Sequence, residues 1–206
     1  MKARWGVILY KVLMFLLLPI FIQYSHGTER YVSLSGSNIA PYTNWATAAT
    51  NIQDAIMFSV PGDTIWVTNG IYSGGQSPTP PPGSMPCRIV VTNAITIQSV
   101  NGPKFTTIQG KGPIGSSAVR GAYLANGARL IGFTIEAGAT FNSGDIYMNQ
   151  RGGGILARPG AVVSNCLIRF CGANNAAGGV SLLSLIHISE PTRLLSISYA
   201  VFCLKK

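Results

Sequence analysis

Across 206 residues the chain is 47% hydrophobic and 10% charged, with 24 glycines, 12 prolines and a formal net charge of +9. That length suits one domain, and so low a charged fraction argues against a coiled coil or a disordered tail. Residues 28–182 hold nine Lys and Arg against five Asp and Glu, a net of only +4, which removes the case for a nucleic-acid binder.

Residues 1–27 read as a secretory signal peptide. Lys2 and Arg4 give a basic start, Val12 to Ile22 an apolar run, and Ser25-His26-Gly27 small residues at −3 and −1 of a cut before Thr28. The apolar run is 11 residues long, well short of the ~20 a spanning helix needs. No membrane span is therefore expected after signal cleavage, and the mature chain is expected to be secreted or at the cell surface, an oxidising compartment.

Past the cut, Ala48, Ala49, Ile52, Ala55 and Ile56 fall at helical spacing, and Pro61-Gly62-Asp63 ends the pattern before a strand over Thr64 to Thr68. This predicts a short helix that covers the apolar end of a repeating segment. Residues 122–135 align without gaps on residues 155–168, an offset of 33. The same step leads back from Leu130 to Ile97, and a slightly shorter one from Ile97 to Val67. Each copy is rich in Ile, Val and Thr, which favour strands. Asn69-Gly70, Asn101-Gly102, Asn126-Gly127 and Pro159-Gly160 supply the turns.

Asn-Gly between strands ordinarily signals a hairpin, so an antiparallel sandwich or barrel is the competing architecture. Whole units of more than one strand match, however, and a parallel solenoid explains that better. The fold class expected is all-β, a right-handed parallel β-helix, truncated, with a short N-terminal capping helix. Leu130 then lies over Val163, Phe133 over Cys166 and Ile135 over Ile168, while Gly132 and Asn165 occupy bends that need a positive φ. Residues 73–86 and 139–151 loop out of the coils. The triple glycine 152–154 has neither the GK[ST] nor the helix of a phosphate loop and reads as a tight turn.

Residues 183–206 are foreign in character. Leu183 to Arg193 (LSLIHISEPTR) and Ile197 to Lys206 (ISYAVFCLKK) resemble the translation of a transposase-type sequencing adapter, interrupting a further unit that Gly178-Gly179-Val180 opens. An ordinary C-terminal strand with a basic end is the alternative. The division expected is thus 1–27 signal peptide, 28–182 truncated β-helix and 183–206 artefactual tail, with His187, Glu190 and Cys203 assigned no role. A last coil with open edges, next to apolar Leu182 to Ile188, predicts poor solubility.

YVSLSGSN (31–38), NWATAATNIQDAI (44–56), GDTIWVTNGIY (62–72), SVNGP (99–103), GFTIEAGAT (132–140) and RGGGI (151–155) resemble the opening of bacterial secreted β-helix proteins of the pectin-lyase-like superfamily. The resemblance covers nearly all of 31–182. It implies the fold but not one activity, since lyases, hydrolases, epimerases and non-catalytic surface proteins share it.

Chemistry is sparse. The acids of the middle piece are Glu29, Asp54, Asp63, Glu136 and Asp145. Asp54 falls in the helix, and Asp63 follows a turn where it accepts backbone hydrogen bonds. Glu136 precedes Arg169 by one repeat offset and forms an exposed ion pair between coils, and Asp145 alone falls far short of a Ca²⁺ site. Lys104, Lys111, Arg120, Arg151 and Arg158 are available to a lyase, yet no spacing singles one out, and a solvated surface is expected for each. Cys166 reads as a small buried hydrophobe. Cys87 and Cys171 are a conceivable disulfide with no geometry fixed by sequence. No catalytic, cofactor or metal residue is assigned. The function expected is a secreted or cell-surface scaffold binding extracellular polysaccharide or surface proteins. The alternative is a polysaccharide lyase or glycoside hydrolase with catalytic coils beyond residue 182.

Overall fold

The computed structural model describes residues 27–78, 85–183, 187–189 and 193–195. The signal sequence through residue 26, residues 79–84 of the first excursion and most of the tail lie outside the described residues. Along the chain run β1 (Glu29–Val32), α1 (Ile52–Met57), β2 (Thr64–Val67), β3 (Gly70–Tyr72), β4 (Ser77–Pro78), β5 (Pro86–Val91), β6 (Thr96–Ser99), β7 (Thr106–Gln109) and β8 (Arg120–Leu124). They are followed by β9 (Arg129–Ile131), β10 (Thr134–Glu136), β11 (Ile155–Ala157), β12 (Val162–Ser164), β13 (Leu167–Arg169), β14 (Val180–Leu182), β15 (His187–Ser189) and β16 (Arg193–Leu195).

These strands form a right-handed parallel β-solenoid of about four turns. Sheet A stacks β1-β2-β6-β9-β12-β15, sheet B stacks β3-β7-β10-β13-β16, and sheet C stacks β4-β5-β8-β11-β14. Each full coil contributes one strand to each sheet, so backbone groups pair with the coil above and below at ~4.8 Å. All pairings between these strands are parallel except β4 with β5, a two-residue antiparallel contact.

Like residues stack inside. Ile65, Ile97, Leu130 and Val163 share one register position, and Tyr72, Ile108, Ile135 and Ile168 another; all are buried. Phe133 and Cys166, at the corner between sheets A and B, are buried too. The bends carry the expected backbone: φ is +80° at Gly132 and +49° at Asn165. The first coil corrects the sequence reading, because Ile97 pairs with Ile65, and Val67 pairs with Ser99. Ile65 and Val67 face the same side of a period-two strand, so a slip of two residues leaves the hydrophobic pattern unchanged.

The predicted helix is shorter than its apolar pattern. Asn51 caps it, its side chain accepting from the Asp54 N–H at 2.9 Å, while Ala49 lies ahead of the helix and bridges to Val32. The helix stands at the edge of β5. There the Gln53 side chain accepts from Val90 N–H at 2.7 Å and donates to Val90 O at 3.4 Å, pairing the strand as a neighbouring rung would. The cap therefore works through one amide as well as through buried Ile52, Ala55 and Ile56.

The triple glycine is a close-packed rung as well as a turn. Gly153 O and Gly154 O accept from Gly121 N–H and Ala122 N–H at 3.0 and 2.8 Å. A β-carbon on Gly153 would lie 2.0 Å from Gly172 O, and one on Gly154 2.5 Å from Gly179 O. Both predicted excursions leave at the corner from sheet B to sheet C. In the tail, β15 and β16 continue sheets A and B in parallel register. The step from Ile155 to its partner Val180 is shorter than the step from Ala122 to Ile155 on the coil before.

Candidate functional site

A parallel strand whose one face is inside the coil presents every second residue outward. On sheet A the outward ladder Tyr31–Trp66–Gln98–Ile131–Ser164 runs beside Glu29–Thr64–Thr96–Arg129–Val162. At the N-terminal end of this face the sequence places three aromatic rings and a carboxylate. The Tyr31 hydroxyl donates to Glu29 Oε2 at 2.7 Å and Trp66 Nε1–H to Oε1 at 3.2 Å. These two bonds, Tyr31 first, hold the Glu29 carboxyl below its usual range, and the same contact pushes the Tyr31 phenol up.

Trp45 completes the group. Its ring meets that of Tyr31 edge-on, centroids 4.5 Å apart, and stays 43% exposed. A stapled turn sets its position: Asn44 Oδ1 accepts from Thr47 N–H at 2.9 Å, and Ser37 Oγ donates to Ala46 O at 2.7 Å. Just past the ends of β1, β2 and β6, where the chain turns out of sheet A, lies an open groove of about 500 Å³, lined by Ser33, Leu34, Ser35, Thr68, Asn69 and Asn101. Its lining repeats between coils, since Asn101 Nδ2 donates to Asn69 Oδ1 at 2.8 Å. Flat rings next to hydroxyls, amides and one fixed carboxylate match a ligand with apolar C–H faces and many hydroxyl groups.

The acids singled out from sequence do not converge. Asp54 interacts with Asn51 at the helix start. Asp63 is buried; it accepts from Thr28 and Val60 N–H and pairs with Arg30 at 3.2 Å. Glu136 pairs with Arg169 at 2.7 Å across adjacent coils, as the repeat offset predicts, and also accepts from Gln109 at 3.3 Å. Asp145 Oδ1 accepts from Tyr147 and Met148 N–H inside its own loop. Among the described residues no group of three His, Cys, Asp or Glu could hold a metal ion.

Among the bases, Arg120 overturns the expectation of a solvated side chain. It is fully buried, and its guanidinium donates to the carbonyls of Gly152, Met148 and Arg151 at 2.8, 2.6 and 2.9 Å. The excursion between β10 and β11 folds over β8 and supplies those acceptors, a long-range event with no local sequence signal. Arg158 is half-buried against the Tyr123 hydroxyl, at 3.1 Å, and Arg151 lies over the Tyr147 ring; Lys104 and Lys111 are exposed, as expected.

No disulfide joins the described cysteines. Cys87 packs with Val90, Tyr123 and Leu156 in a cluster apart from the main core, whereas Cys171 packs against that core. Burial pushes the thiols of Cys166 and Cys171 up to about 11. Sequence reasoning missed the aromatic group because Trp45 sits in a turn far along the chain from Trp66. The only local signal was the outward parity of Tyr31 and Trp66.

Fold and face together define a parallel β-solenoid whose sheet A carries a polar and aromatic outer side. No helix among the described residues is long and apolar enough to cross a membrane. No family model, curated protein or solved structure matches the chain.

Proposed function

We propose that residues 28–182 form an exported β-solenoid scaffold whose sheet A face binds extracellular polysaccharide. In this reading residues 1–27 direct export, and residues 183–206, adapter-like in sequence, contribute nothing to the activity. The carrying observation is the Tyr31–Trp45–Trp66 group around Glu29, with a groove lined by Leu34 and by Ser, Thr and Asn side chains at the turns that follow the same strands. A sugar ring lays its C–H face on an aromatic ring while its hydroxyls reach amides and a carboxylate. A solenoid repeats such contacts along a polymer. The resemblance to secreted pectin-lyase-like proteins supports the same ligand class. The dispersed acids, each held by its own local partners, favour a binder over a hydrolase.

The test is intrinsic tryptophan fluorescence during titration with pectin, alginate and a neutral β-glucan. Saturable change with at least one of them is expected, with affinity falling about tenfold in Trp45→Ala and Trp66→Ala and thermal unfolding nearly unchanged. Absence of binding to all three overturns the reading. Release of unsaturated products from an acidic glycan would replace it with a lyase.

A further inference from the structure

Thr28 is the first residue after the small-residue pattern Ser25-His26-Gly27, and its backbone nitrogen lies 2.8 Å from Oδ1 of Asp63. The Asp63 side chain is 0% exposed. Its Oδ2 takes Nε and Nη2 of Arg30, each at 3.2 Å, and the Val60 N–H at 3.0 Å, so Oδ1 is turned toward Thr28. Thr28 O is fixed in turn by Thr64 N–H at 3.1 Å. One residue earlier there is no room: a β-carbon at Gly27 would lie 1.8 Å from Gly62 O.

We propose that Asp63 is the receptor for a mature amino-terminus. Water adds across the Gly27–Thr28 peptide bond, catalysed by an export-linked peptidase. Gly27 leaves as a carboxylate with the leader, and the Thr28 nitrogen, now protonated, pairs with the buried Asp63 carboxylate. The peptide N–H offers one donor and no charge; the ammonium offers three donors and a full charge beside an anion already out of water. Arg30 and Asp63 are the charged groups facing this nitrogen. Glu29, next along the strand, turns to the opposite face toward Tyr31 and Trp66. Thr28 itself is exposed, so the excess positive charge of the trio stays hydrated. This inference rests on the export reading but not on polysaccharide binding, and its tests need no glycan.

The full chain is exported from a secreting host and its intact mass read. A product beginning at Thr28 is expected; a retained leader or a different cut overturns the proposal. On that product the α-amine is acylated at pH 7. Labelling about tenfold slower than for a free peptide amine is expected, as an upward shift of about one pKa unit dictates, with the ordinary rate restored in Asp63→Asn. An ordinary rate in the parent protein overturns the ion pair. Should Asp63→Asn fail to fold, acetylation of the mature amine serves instead, with a lower Tm expected and an unchanged Tm overturning. Gly27→Ala separates the alternatives independently: alanine suits the −1 position, and residue 27 departs with the leader, so an unchanged Tm is expected. A destabilised product means that position 27 is still present in the folded chain, which overturns the proposal.

Discussion

Sheets A and C belong to the same coils and share one interior, yet their outer sides differ. Sheet A alternates buried and half-exposed residues, as in Thr64–Val67 and Thr96–Ser99. Sheet C is buried at every position of β8 and β11. Its outward Val90, Tyr123 and Leu156 form a second small core, which Met148 from the excursion between β10 and β11 helps to cover. The strands of sheet C accordingly lack alternation, the mark of a sheet covered on both faces. The covered sheet holds the chain together, and the bare one is free to meet a ligand.

The largest expected effect breaks the covered side. Arg120→Met removes the donors to three carbonyls, one buried and two half-buried, so unfolding free energy is expected to fall by about 3 kcal/mol, read by urea denaturation. A loss below about 1 kcal/mol, the worth of one ordinary hydrogen bond, would mean that the excursion holds itself in place.

Next in size are the thiols of the main core. With folded values near 11, Cys166 and Cys171 should resist alkylation at pH 8 in the native chain and react fully in urea. Because the folded value is raised, their contribution is whole below the unfolded thiol value of about 8.5 and is lost as pH climbs toward 11. Rapid native labelling would show that the coils open locally.

The smallest effect falls on the half-buried pair joining adjacent coils on sheet B. Glu136→Gln is expected to cost about 0.5 kcal/mol in urea denaturation, since Arg169 remains 40% exposed to water. A loss of about 2 kcal/mol, beyond the range of a solvated ion pair, would give that face a structural role it does not share with sheet A.

What could be read from the amino acids depends on the range of the interaction. The gapless copies at 122–135 and 155–168 reveal Leu130 over Val163 and the bends at Gly132 and Asn165, because stacking and backbone sterics act locally within each unit. The same offset also pairs Glu136 with Arg169. Pattern alone could not separate Ile65 from Val67, which face the same way. It could not bury Arg120, whose acceptors come from the carbonyls of a distant loop. The aromatic group on sheet A required knowing that the turn bearing Trp45 folds back against Tyr31.

The corners of the coil differ in how much their length varies. The connections from sheet C to sheet A before β6, β9 and β12 are each four residues long, while those from sheet B to β8, β11 and β14 run to ten, eighteen and ten. Length varies where peptide can be spliced in without shifting any rung. The corner ahead of β11 is committed, since it holds Arg120 and covers sheet C; the corner ahead of β8, exposed at residues 111–114, is therefore the natural graft point, where a foreign epitope or an affinity handle could be carried at a fixed height along the shaft.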